Sequence, residues 1–191
     1  RSKRRKGSHI VRVTGNEGRV ALPLRRRAVH IVLVFGKSHC VPESRQEIWG
    51  DARIGNIIFA EDSSPAAVVD WEMVTLGSPE TDVGWALFVD RHHSEGLSVP
   101  RLEGFPDYDE TVAFYEEKSG HTLSNLHYYQ VFAGFRFAVV MARLSQQMVH
   151  YEVMEEAVGL EFEVNNIVTR LLAKILELPP PGEKQGAPGE Y

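Results

Sequence analysis

The chain has 191 residues, 43% hydrophobic and 25% charged, with a formal net charge of −5. That length suits one ordinary domain or one large lobe of a bigger one, and the composition excludes a fibrous or wholly disordered chain. No apolar run reaches the roughly 18 residues of a membrane helix. The single cysteine, Cys40, has no partner for an internal disulfide, so a reducing cytoplasm is the expected setting.

The charge is split unevenly. Residues 1–48 carry twelve Lys/Arg and three Asp/Glu, a balance of +9; residues 49–191 carry nine and twenty-three, a balance of −14. The first methionine is Met73, so the chain reads as a fragment, a processed product or a partial reading frame. The start "RSKRRK" offers only non-specific, salt-sensitive attraction to nucleic acid, and no nucleic-acid module accompanies it.

In chain order, residues 1–8 are expected to be disordered, because like charges repel and nothing apolar is available to bury. "HIVRV" and "AVHIVLVF" read as strands, and 36–48 as loop. "NIIFA" and "AAVVDW" read as short strands joined by "EDSSP", which has hairpin chemistry. In "GSPETDVGWALFV", Pro79 suits the first turn of a buried helix. "DYDETVAFYEEKSG" places acids early and Gly120 as a stop. The long helix through "LHYYQVFAGFRFAVVMARLSQQMVHY" is apolar on more than one face, which predicts a place in the middle of a bundle. "NNIVTRLLAKILEL" is amphipathic through Leu171, Leu172, Ile175 and Leu176, and Pro179 to Pro181 are expected to end it.

The stretch "WGDARIGNIIFAEDSSPAAVVDWE" concentrates the chemistry. Asp51 and Asn56 bracket a short polar loop, and Asp70 follows the second strand. A hairpin brings its ends together, so Asn56 and Asp70 can face one metal ion. An amide oxygen and a carboxylate are hard ligands, suited to Mg²⁺ with phosphate oxygens. Asp51 would stand beside that ion, free to accept a hydroxyl proton. These are the parts of phosphoryl transfer. Taken singly, the same residues are ordinary turn formers.

The pattern D-x-x-x-x-N followed by a strand-terminal Asp resembles the protein-kinase-like catalytic layout. "WGDARIGNIIF…AVVDWEMVTLGSPETDVGW" is similar to the aminoglycoside phosphotransferase and choline kinase family, close to the kinase domains associated with acyl-CoA dehydrogenases. The resemblance covers about residues 49–150. It implies an α+β, mainly helical fold: a protein-kinase-like C-terminal lobe with a small β-hairpin at the active site. It also implies Asp51 as catalytic base and Asn56 and Asp70 as Mg²⁺ ligands on ATP. Asp82 would brace the loop backbone, with Glu72, Trp49 and Arg53 in support. Trp49 stands where the family has a packing His, and "GSP", with Ser78, where Gly-Asp-Pro is common, which predicts a lost turn hydrogen bond.

Three segments are thus expected. Residues 1–48 form a basic segment that does not amount to a complete ATP-binding lobe; its last lysine, Lys37, lies in a loop-like stretch with no helix Glu placed to pair with it. Residues 49–178 form the phosphotransferase lobe, and 179–191 a disordered tail. The implied activity is ATP- and Mg²⁺-dependent phosphorylation of a small-molecule hydroxyl. The alternative is a non-catalytic remnant or ligand-binding module. Outside the motif, His92 and His93 are expected at a solvated helix end. Tyr128, Tyr129, Phe132, Phe135 and Phe137 are expected in the core, and Arg136 and Arg143 in ion pairs with nearby acids.

Overall fold

The structure, a computed structural model, describes residues 46–182. The basic start, the strand-like runs within 9–35, Lys37, Cys40 and the tail from residue 183 lie outside the described residues.

Strand β1 (Gln46–Ile48) leads into the polar loop, and β2 (Ile57–Phe59) and β3 (Pro65–Val68) form the expected hairpin. They pair antiparallel, with Ile57 opposite Val68 and Ile58 opposite Ala67, and an irregularity after Ile58. The turn is held by Asp62, whose carboxylate accepts from the Ser64 amide at 3.0 Å, while Ser63 takes φ +61°. Strand β4 (Thr75–Gly77) pairs antiparallel with β1, Gln46 opposite Gly77. This second ladder was not legible locally, because each strand has only three residues and its partner is remote in sequence. Residues 46–48 therefore pack with the strand that precedes the first helix.

Helix α1 (Glu80–Arg91) begins after Pro79, whose φ of −59° is already helical. It continues into one wider turn, His92–Gly96. Helix α2 (Tyr108–Ser119) opens with a capping box between Asp107 and Glu110 and stops at Gly120, with φ +69°. Helix α3 (Leu126–His150) runs 25 residues. Helices α4 (Glu156–Val164) and α5 (Ile167–Ile175) pack back onto it.

The main core joins loop, hairpin and helices through Trp49, Ala52, Ile57, Trp85, Phe88 and Val168. Val83, Leu87 and Tyr115 make a second cluster between α1 and α2. Helices α1 and α3 approach closely because two glycines face the contact. A Cβ at Gly84 would lie 2.7 Å from Tyr129 Cβ, and one at Gly134 would lie 2.6 Å from a Phe88 ring carbon.

Several expectations are corrected. Helix α3 is covered on one side only: Tyr128, Phe132, Phe135, Val139, Val140 and Leu144 are exposed among the described residues. Tyr128, Phe132 and Phe135 are therefore not core, because α1, α4 and α5 all meet the other side of the helix. Helix α5 ends before its prolines. Glu177 adopts φ +56°, and the Leu178 amide reaches the Ala173 carbonyl at 2.8 Å. That is a left-handed C-terminal cap, which satisfies the last carbonyls without proline. The turn hydrogen bond questioned at Ser78 is present in another form: its hydroxyl donates to the Glu80 carboxylate.

Candidate active site

The loop from Trp49 to Asn56 is fastened from both sides. Asp82, on the first turn of α1, accepts the Trp49 amide at 2.7 Å and the Gly50 amide at 2.8 Å. Gly50 has φ +89°, and a Cβ there would lie 2.5 Å from the Met73 carbonyl oxygen, so the position excludes a side chain. From α3, the Arg136 guanidinium donates to the Gly50 carbonyl at 2.9 Å. Burial pushes the Asp82 carboxyl up to about 6, and the Asp51 charge adds to this; the two amides and Arg136 pull it back.

Asp51 is held by three side-chain donors. Trp85 Nε1 donates to Oδ1 at 2.8 Å. Arg53 Nε and Asn56 Nδ2 donate to Oδ2 at 2.9 and 2.6 Å. Asn56 is buried, and its Nδ2 also reaches the Asp51 carbonyl at 3.1 Å. Its amide nitrogen is thereby committed, and its Oδ1 has no partner among the described residues.

The hairpin end is tied to the same loop. The Val69 amide donates to the Asn56 carbonyl at 3.0 Å. The Trp49 indole donates to the Val69 and Asp70 carbonyls at 3.0 and 3.2 Å. Trp49 is thus more than filler: its N–H bridges the loop to the hairpin. Asp70 adopts φ +64°, and its exposed carboxylate makes no hydrogen bond or ion pair among the described residues. Left-handed backbone at a non-glycine residue is costly and clusters at functional positions.

The uncommitted oxygens at this end of the hairpin are hard donors, of the kind a divalent cation takes. Asn56 offers an uncommitted amide oxygen and Asp70 an uncommitted carboxylate; Val69, the residue before Asp70, bonds the Asn56 carbonyl. No group of three or more His, Cys, Asp or Glu that could hold a metal occurs among the described residues. Glu72 is exposed and bonds none of these groups.

A cavity of about 510 Å³ opens beside the loop, lined mainly by apolar side chains, with Ala52, Ile57, Leu87, Leu102 and Tyr115 among them. Arg53 lines it as well and is at the same time the ion-pair partner of Asp51. Arg53 therefore touches both the cavity and the carboxylate.

Trp85, Arg136 and Glu80 were not singled out as site residues by the motif. A Trp at a buried helix position carries no polar signature in sequence. Arg136 was expected in an ion pair; instead it binds a carbonyl and lies over the Trp85 ring, 4.8 Å from its centroid. Arg143 donates to Gln146 at 3.3 Å rather than to an acid. Glu80 is buried and gathers His121 and Ser124, tying the start of α1 to the α2–α3 connection. Of the two histidines, only His93 is exposed. His92 packs against Phe137, with ring centroids 5.0 Å apart; burial, helped by the His93 charge, holds it down to about 4, so it is neutral at pH 7. Its Nδ1 is buried and has no partner among the described residues.

The phosphotransferase enzyme family matches residues 38–115. Acyl-CoA dehydrogenase family member 10 of Mus musculus is 33% identical over 106 residues, which is 49% of this chain and 10% of that protein. A crystal structure of a Ralstonia eutropha JMP134 protein, provisionally described as an aminoglycoside phosphotransferase, superposes with a TM-score of 0.52 at 23% identity. It covers 78% of this chain and 47% of the other. The chain thus spans about a tenth of the curated relative and about half of the solved one. Among the described residues no helix is long and apolar enough to cross a membrane. Residues 38–115 thus carry the match to the phosphotransferase enzyme family, and the fold is α+β, mainly helical, of the kinase-like class.

Proposed function

We propose that this chain carries the catalytic half of an ATP- and Mg²⁺-dependent phosphotransferase acting on the hydroxyl of a small molecule. The observation that carries this reading is the Asp51 carboxylate. It is oriented by Trp85 and Asn56 on a loop braced by Asp82, with two uncommitted oxygen donors, from Asn56 and Asp70, at the neighbouring hairpin end.

In this reading Asp51 orients the acceptor hydroxyl and takes its proton. The hydroxyl oxygen forms a bond to the terminal phosphorus of ATP as the bond to the bridging oxygen breaks, and ADP leaves. Asn56 and Asp70 would hold Mg²⁺, which would supply charge neutralisation on the phosphates. Arg53 has a side chain about 42% exposed, so its contact with Asp51 is screened and gives way to an incoming hydroxyl. The apolar cavity that Arg53 also lines suits the carbon skeleton of an acceptor. The setting is cytoplasmic, and the partner is a small molecule rather than nucleic acid or a membrane.

The test is calorimetric titration of the 191-residue chain with ATP and Mg²⁺. Saturable, Mg²⁺-dependent binding that Asp70→Ala abolishes is the expected result. No saturable heat at millimolar ATP overturns it in favour of a non-catalytic ligand-binding module.

A further inference from the structure

The Asp51 carboxylate receives a neutral donor from outside its own loop. Trp85 Nε1 meets Oδ1 at 2.8 Å, and Trp85 is 7% exposed. Its ring fills core space against Phe137, with centroids 5.7 Å apart. A phenylalanine would fill most of that space without burying an N–H. The indole nitrogen is therefore explained by what it bonds, not by packing alone.

Arg136 lies over the same indole. Its guanidinium lies 4.8 Å from the Trp85 centroid and 5.9 Å from that of Phe132. It reaches the Gly50 carbonyl at 2.9 Å and the Met73 sulfur at 3.7 Å. No acid pairs with it within 4.0 Å among the described residues; Asp82 acts on it only through the longer-range field. A cation over an indole face draws electron density from the ring and strengthens the N–H as a donor.

We propose that Trp85, backed by Arg136, is the positioning residue that keeps the Asp51 carboxylate aimed when Arg53 leaves it; this rests on the phosphotransferase reading above. The three donors differ in permanence. Arg53 is half-exposed, whereas Trp85 and Asn56 are buried. Once Arg53 swings away, Oδ1 remains fixed by Trp85 and one direction of Oδ2 by Asn56. The vacated direction on Oδ2 is where a hydroxyl hydrogen can bind. The indole keeps its own proton and occupies Oδ1 alone, so it orients the carboxylate and leaves the vacated direction on Oδ2 to the hydroxyl. The close α1–α3 packing at Gly84 and Gly134 supplies the rigidity, because it fixes the helices that carry Trp85 and Arg136.

The experiment uses the full chain labelled with ¹⁵N at tryptophan. Its three tryptophans give three indole signals, and Trp85→Phe assigns one by removing it. Asp51→Ala is expected to speed solvent exchange of the Trp85 indole proton about tenfold, as loss of a buried hydrogen bond requires. Arg136→Met is expected to speed it less and to leave the Trp71 signal in place. Unchanged Trp85 exchange in Asp51→Ala overturns the contact. In the transfer assay Trp85→Phe is expected to lower kcat about tenfold at unchanged KM for ATP, since misaimed catalytic groups cost rate rather than ground-state binding. A loss confined to KM assigns Trp85 to packing and overturns the proposal. Arg136→Met, which leaves the ring in place, carries the same expectation should Trp85→Phe fail to fold. A wild-type chain that transfers no phosphate refutes the phosphotransferase reading, while the exchange measurement still decides the contact.

Discussion

Asp82 and Gly50 lie 32 residues apart in sequence, yet the carboxylate of one accepts the amide of the other at 2.8 Å. The same carboxylate takes the Trp49 amide at 2.7 Å, so a single side chain fixes the entry to the loop. Burial raises its carboxyl from 3.8 to about 6. A raised folded-state value means that protonation stabilises the fold: the contribution is full below about 3.8 and is lost as pH rises through about 6. Asp82→Asn removes this titration and keeps one acceptor. Urea unfolding of both proteins from pH 4 to pH 7 should show the stability of wild type relative to Asp82→Asn falling across that window, by on the order of 2 kcal/mol. Comparison with the variant cancels Glu80 and Glu95, whose lowered values act in the opposite sense. A flat difference would refute the buried, raised carboxyl.

Gly50→Ala should destabilise the chain by about 2–4 kcal/mol, from a side chain forced into left-handed backbone and against a neighbour. The nearest obstacle is the Met73 carbonyl oxygen at 2.5 Å, which is backbone. Trimming the side chain with Met73→Ala should therefore not restore stability. Thermal unfolding of the single and double variants checks this, and full rescue by Met73→Ala would show that the side-chain contact alone sets the cost.

Glu80 is 2% exposed and accepts from the Ser124 amide at 3.1 Å, with His121 and Ser78 on the same carboxylate. Burial raises its carboxyl, but the hydrogen bonds of Ser78, its own amide, Ser124 and His121 outweigh that and leave it lowered. Glu80→Ala strands those donors at the α2–α3 connection and should cost about 1–3 kcal/mol. Hydrogen exchange should locate the loosening at residues 121–124. An unchanged melting temperature together with unchanged exchange would show that solvent replaces the carboxylate.

Much of the architecture was legible from short-range signals. "EDSSP" between apolar runs reads as a hairpin because Asp62 and Ser63 suit tight turns, and β2 and β3 pair there. Gly120 ends α2 because it tolerates φ +69°. Helix α4 was passed over within a helical stretch, and the β1–β4 ladder was missed because its strands are short and their partners distant. The core reading of Tyr128, Phe132 and Phe135 failed for another reason. Periodicity shows that a helix has an apolar face, but not what covers it.

The sequence by itself determined which residues stand together as candidates: a loop Asp, an Asn five positions on, and an Asp after a hairpin. Those relations are local, and backbone geometry over a few residues imposes them. Only the tertiary structure decided how Asp51 is aimed. Trp85 is 34 residues away, and Arg136 is 86 residues from the Gly50 carbonyl it binds. They meet the loop because α1 and α3 pack at glycine-to-ring distance, a contact that depends on side-chain volumes filling a shared core rather than on any spacing along the chain.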